Sequence, residues 1–295
     1  MRNDKLINYL HLHFIVFIWG FTAVLGALIS IEAIPLVWHR MFMGAVFVLL
    51  YILFRKEKLM VSIRDLLKLA FVGFLIALHW FSFFYAIKVS NVSITLAMMS
   101  TGAFFASLLE PIFFRKKIVS YEVVFGLIVI IGLYIIFKVE SEYISGILLA
   151  LLASFLGALF ATLNGILVKT HNASIITFYE LFFGVLCISV YLLFTGGFSL
   201  NFFILSTNDW IYLLILASVC TAYAFIASVQ VMKWISPYTV MLTTNMEPVY
   251  GIILALLILG DKEYMSPNFY LGAVIILVTV ILNGIIKTSK KRISN

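Results

Sequence analysis

Two stretches decide the reading of this chain: residues 32–54, EAIPLVWHRMFMGAVFVLLYILF, and residues 172–194, NASIITFYELFFGVLCISVYLLF. Each is a nearly continuous apolar run of about 20 residues, enough at 1.5 Å per residue to cross a hydrocarbon core of roughly 30 Å. Laid over one another, Ala33, Phe42, Gly44, Tyr51, Leu53 and Phe54 recur as Ala173, Phe182, Gly184, Tyr191, Leu193 and Phe194. Similar offsets pair Gly20 with Gly157, Lys88 with Lys233 and Gly126 with Gly272. The chain therefore reads as one unit written twice, over 1–138 and 139–295.

Working outward, runs of the same kind fill the chain. Hydrophobic residues make up 64% of the 295 positions and charged ones 11%, with a mean hydropathy of +1.15, more apolar surface than one soluble core can hide. The runs are continuous and do not alternate, so helices satisfy every backbone group within each segment. The expected segments are 9–30, 33–54, 66–88, 91–114, 119–138, 143–168, 172–195, 208–233, 236–260 and 266–286. Pro35, Pro237 and Pro267 fall in first turns, where a missing N–H costs little. The expected fold is thus all-α and integral to the membrane, with ten transmembrane helices. Five helices per copy is an odd number, so the second copy enters from the opposite side, the inverted-repeat plan of secondary transporters. The amino-terminal run is too long for a cleaved leader and is read as the first span.

Charge sets the orientation. Of the 20 lysines and arginines, Lys88, Lys138 and Lys262 fall on one side and Arg40 within a span; all the others share the side of the amino terminus. Cytoplasmic loops retain positive charge, so both termini are expected to be cytoplasmic. The +7 net charge is spread over loop ends and forms no groove with interleaved aromatics, which argues against nucleic-acid binding and leaves the lipid bilayer as the partner. Arg115, Lys116 and Lys117 form one such cluster, and Lys287 to Arg292 another. Cys187 and Cys220 lie inside expected spans with no metal-ligand spacing. There is no phosphate-cradling glycine loop to suggest an ATP-driven pump, and no His-x-x-His or histidine–acid motif to suggest a membrane-embedded enzyme; His11 and His13, two apart, do not share a helix face. The enzyme and a non-transporting membrane protein remain the alternative readings.

An ionisable group within a bilayer costs about 2.5–3.5 kcal/mol on insertion scales and asks for a partner or a watery cavity. Glu247 lies about 11 residues into the ninth segment, roughly 16 Å deep. Pro248 disrupts the turn before it and frees carbonyls near Asn245 that can face a substrate ammonium or a proton. The competing reading is a structural kink. Arg40 and Glu180 take equivalent repeat positions with opposite charge, as do their neighbours His39 and Tyr179; they read either as gate charges or as separately satisfied structural ones. Their depths differ by roughly 10 Å, which disfavours a direct pair. His79 beside Trp80 is a group that titrates near neutrality, or a packing histidine. Trp19, Trp80 and Tyr223 offer an apolar cavity wall with cation-attracting faces.

Taken together, Trp19-Gly20, Pro35 with Arg40, Glu247-Pro248, the turn Gly260-Asp261-Lys262-Glu263 and Gly272 resemble the drug/metabolite transporter superfamily, specifically its ten-helix EamA-type members, over essentially the whole chain. The resemblance implies a carrier in a bacterial cell (inner) membrane, commonly an exporter of amino acids or other small metabolites. Its small-molecule substrate would sit in a central cavity formed mainly by helices 1, 3, 4, 6, 8 and 9. No cofactor or metal is implied, proton coupling is left open, and a monomer is the economical expectation. Helix 4 carries Ala103 where helix 9 carries Pro248, so strict equivalence of the halves is not expected there.

Overall fold

The computed structural model describes residues 2–115 and 120–293, and every regular element among them is helical. Lys116 and Lys117, and the side chains of Arg2, Lys5, Lys287, Lys290, Lys291 and Arg292, on which part of the charge reading rests, lie outside what is described. The first half runs α1 (Arg2–Leu28), α2 (Ala33–Phe54), α3 (Ile63–Val89), α4 (Val92–Met99), α5 (Gly102–Phe113) and α6 (Ser120–Val139). The second runs α7 (Ile144–Leu167), α8 (Ala173–Thr195), α9 (Thr207–Ala217), a π-helical turn at Ser218–Tyr223, α10 (Ala224–Val231), α11 (Pro237–Thr244), α12 (Glu247–Leu259) and α13 (Pro267–Ile293). Short 3₁₀ turns occupy Ser141–Tyr143, Leu200–Phe202 and Gly260–Glu263.

Eight helical stretches among the described residues are long and apolar enough to cross a membrane; two further apolar ones, Val124–Val139 and Pro267–Asn283, are shorter. Helix starts follow from local chemistry. The side chains of Ser62, Asn91, Ser206 and Ser236 accept from the backbone N–H of Asp65, Ile94, Asp209 and Thr239, capping α3, α4, α9 and α11. Pro237 and Pro267 open α11 and α13. Gly196, at φ +66°, ends α8 in the left-handed conformation that glycine adopts without strain.

The expected segments 91–114, 208–233 and 236–260 are each interrupted within the bundle. The first interruption corrects the expectation that the halves differ here: α4 ends at Met99 and α5 begins at Gly102 although no proline is present. Hydroxyls take up the backbone groups instead. Thr101 Oγ1 lies 2.7 Å from the Met98 carbonyl and 2.9 Å from Ser154 Oγ, and Ser154 Oγ donates to the Met99 carbonyl at 3.3 Å.

Packing relates the two halves element by element. α6 lies on α13 and α2 on α8, while α3 packs on α7 as α1 packs on the α9–α10 element, and α1 meets α12 as α4 and α5 meet α7. Backbones approach closely where α6 crosses α13: a Cβ on Gly132 would lie 3.0 Å from the Gly272 carbonyl, and one on Gly272 2.9 Å from the Gly132 carbonyl. Polarity is inverted relative to a soluble protein. Phe54, Phe194 and Leu257 are largely exposed, Phe194 at 89%, while Arg40, His79, Glu180 and Glu247 are buried. Such a surface is stable only against lipid.

Candidate functional site: a charged cavity at the centre of the bundle

Where α11 gives way to α12, the chain builds one wall of a central cavity. Pro248 has no N–H to give the Thr244 carbonyl, and the backbone tightens, with Asn245 N bonded to Leu242 O and Met246 N to Thr243 O. Thr243 and Thr244 turn their hydroxyls back onto Thr239 O and Val240 O, both at 2.9 Å. Glu247 opens α12, so its carboxylate lies at the positive end of that helix, and both it and Thr244 line the cavity.

The π-helical turn Ser218–Tyr223 builds the facing wall. Its extra residue throws the hydrogen-bond ladder out of register and leaves groups free to bond sideways. Thr221 Oγ1 donates to Leu216 O at 2.7 Å, and Trp19 Nε1 donates to the Cys220 carbonyl at 3.2 Å. Arg40 Nε donates to Thr221 Oγ1 at 2.7 Å. The guanidinium lies 3.9 Å from the Trp80 ring centroid and 5.3 Å from that of Phe84. Its Nη1 is buried without a partner. A buried charge with an unmade hydrogen bond costs free energy that a bound anionic group would recover. Arg40 and Glu247 interact electrostatically across the cavity but close no ion pair with each other.

His79 forms a third side. Its Nδ1 donates to Ala153 O at 2.7 Å, which sets the tautomer and leaves Nε2 as the lone-pair nitrogen. Phe160 packs edge-on against the ring at 5.1 Å, and a Cβ on Gly157 would lie 3.3 Å from Cε1, so glycine leaves the imidazole its room. The space is about 80 Å³, room for several waters and less than most ligand pockets hold.

Of the residues singled out in the sequence, Trp19, Arg40, His79, Trp80 and Glu247 meet at this cavity, on α1, α2, α3 and α12. The others are placed elsewhere. Tyr223 is no wall of this cavity: it is 43% exposed and bonds His11 Nε2 at 2.8 Å. Asn245 is buried beside the break with Nδ2 unpartnered and does not line the space. Arg40, read as a gate charge, sits in the cavity wall itself. His39 donates to Pro35 O at 2.8 Å and stacks on Phe202, and Tyr179 donates to Leu59 O at 2.6 Å; neither lines the cavity. Glu180 is fully buried behind the wall, where Asn164 Nδ2 donates to its Oε2 at 3.3 Å. Asn164, which the sequence offered either as a solute contact or as a bond between helices, lines the cavity; so does Cys220, read as a packing residue, and so do Thr22, Phe225 and Ser228, which sequence reasoning did not select. The run of small and polar residues Ser218-Val219-Cys220-Thr221-Ala222 was the one local hint of an irregular helix.

An apolar helical bundle with charged residues buried around a central cavity defines an integral membrane protein. The model of the EamA-like transporter family matches the chain twice, over residues 7–138 and 144–285. The chain belongs to that family, within the drug/metabolite transporter superfamily, and is a membrane transporter. It is 24% identical over 236 residues to an uncharacterized transporter of Clostridium kluyveri, covering 77% of this chain and 75% of that protein. One solved crystal structure superposes with a TM-score of 0.68 at 13% identity, over 94% of this chain and 97% of the other, a likeness of fold alone.

Proposed function

We propose that this protein is a secondary carrier of ten transmembrane helices, with inverted repeats at 1–138 and 139–295 and both termini cytoplasmic, that exports small organic metabolites such as amino acids from a bacterial cell by alternating access. One observation carries the substrate reading: Arg40 and Glu247 line the same cavity without neutralising one another. A zwitterion satisfies both, its carboxylate at the unpartnered Arg40 Nη1 and its ammonium at Glu247, while Trp19 and Trp80 present aromatic faces to what lies between. The small volume means that a solute larger than a few waters is admitted only when the helices part. Glu247 and His79 are the groups available for proton coupling.

Counterflow into proteoliposomes preloaded with amino acids, organic cations or phosphorylated metabolites tests the reading. Saturable exchange of amino acids is expected, reduced about tenfold or more in Glu247→Gln. Exchange confined to another class, or unaffected by that substitution, overturns the assignment. For the orientation, a cysteine placed in the 196–206 loop of a variant lacking Cys187 and Cys220 should react with an impermeant reagent from outside the cell; labelling from the cytoplasmic side alone reverses the topology.

A further inference from the structure

Two of the buried carboxylates are well supplied with donors. Asp209 accepts from Ser30 N at 2.6 Å and from Ser30 Oγ and Ser206 Oγ, both at 2.7 Å. Glu263 accepts from Val92 N at 3.1 Å, Ser93 N at 2.8 Å and Ser93 Oγ at 2.9 Å. Each lies at the start of a helix and has donors on both oxygens, surroundings that suit a negative charge.

Glu180 is fully buried inside α8 and has neither advantage. Its Oε2 has a single donor, Asn164 Nδ2 at 3.3 Å, and its Oε1 has none. No cation stands by it either. α8 packs on α2, α3 and α10, and Asn164 comes from α7; α7 and α10 carry no titratable side chain. On α2, Arg40 donates to Thr221 and lies over Trp80, His39 donates to Pro35 O, and Tyr51 is exposed. On α3, His79 donates to Ala153 O, Lys68 pairs with Asp65, Lys88 donates to Ile29 O, and Arg64 and Tyr85 are exposed. Among the described residues, none of these charges acts on the Glu180 carboxyl.

Hydrogens are in short supply as well. Glu180 Oε1, Asn164 Oδ1 and, one turn earlier on α8, Thr177 Oγ1 are all buried without a partner. A carboxylate adds only acceptors to such a place, whereas a carboxylic acid adds a donor. A bare charge there is costly, and a carboxyl group avoids that cost by holding a proton. Space points the same way. Glu180 does not line the central cavity, and α3 lies so close that a Cβ on Gly73 would sit 2.5 Å from the Glu180 carbonyl oxygen. A proton enters without displacing an atom; a metal ion with its shell of oxygens does not.

Beyond Glu247 and His79 in the cavity, we propose that Glu180 is a proton-binding site behind its wall. It holds the proton while α8 is packed on α3 and exchanges it with water when the helices part, which couples transport to a proton gradient. Asn164 is the link to the solute, since it donates to Glu180 and lines the cavity. One proton moves between the carboxyl group and water, and no other bond is made or broken. The coupling rests on the carrier reading above; the bound proton does not.

Infrared spectra of the full chain in detergent at neutral pH read the proton directly. The C=O stretch of a carboxylic acid, shifted in D₂O, is expected in the wild type, lost in Glu180→Gln and retained in Glu247→Gln. If Glu180→Gln does not fold, Asn164→Leu keeps the readout: it removes the hydrogen bond to Glu180 and should move the same band to higher frequency without abolishing it. An acid band that neither substitution changes, or no acid band, overturns the site. In proteoliposomes, a pH gradient should drive accumulation of amino acids by the wild type and not by Glu180→Gln, whose counterflow stays within about twofold of wild type. Glu180→Asp should restore the response. Accumulation that persists in Glu180→Gln, or that follows a sodium gradient instead, overturns the coupling. The infrared band does not depend on transport, so failure of the carrier reading and failure of the proton site are told apart.

Discussion

Arg40 and Glu180 occupy matched positions in the two halves, yet the bundle treats them differently. Arg40 is 2% exposed, bonded to Thr221, laid over Trp80 and part of the cavity lining, with Nη1 buried and unpartnered. Glu180 is sealed behind the wall, its backbone against Gly73 and its carboxylate reaching the cavity only through Asn164. The difference lies in the helix each one faces. Arg40 meets the element that breaks into a π-turn and offers Thr221; Glu180 meets α3, which runs uninterrupted and offers a glycine. Aligning the two stretches thus matches a residue to a helix position, and the neighbouring helix decides whether it lines the cavity.

That contrast is open to attack in order of expected effect. Arg40→Ala should cost the most, about 100-fold in counterflow rate, because it removes a charge-assisted contact made inside a low-dielectric cavity. Glu180→Gln should cost about twofold, since the amide keeps a hydrogen bond to Asn164 and does not meet the solute. A loss in Glu180→Gln as deep as in Arg40→Ala would place both charges on the transport path and erase the distinction. The smallest change is expected from Pro248→Ala. The break between α4 and α5 forms with no proline, held by Thr101 and Ser154, and Thr243 and Thr244 stand ready to hold its counterpart. Counterflow in Pro248→Ala should stay within about twofold of wild type, and a larger loss would show that the second break, unlike the first, depends on the missing N–H.

Much of this was legible in residue order. Helix positions followed from runs of apolar residues, and prolines marked several starts within a few residues. Glu247-Pro248 announced the second break, because a proline's lack of an N–H is a property of one position. The first break carried no such mark: it rests on Ser154, far along the chain, which reaches Met99 only once α5 and α7 have packed. Tyr223 carried no mark of its partner either: its hydroxyl meets His11, 212 positions away in the chain.

What the sequence determined by itself is what depends on local composition: a chain too apolar for water, helical in every regular element among its described residues, with few charges left in its membrane-length segments. Tertiary structure alone decided which of those charges meet. The rotation of each helix about its axis, the register at which α1, α2 and α3 pass the π-turn, and the enclosure of Arg40 with Glu247 all come from packing between residues about 200 positions apart. Hydropathy is summed along one helix and carries no information about the angle at which a second helix will lie against it.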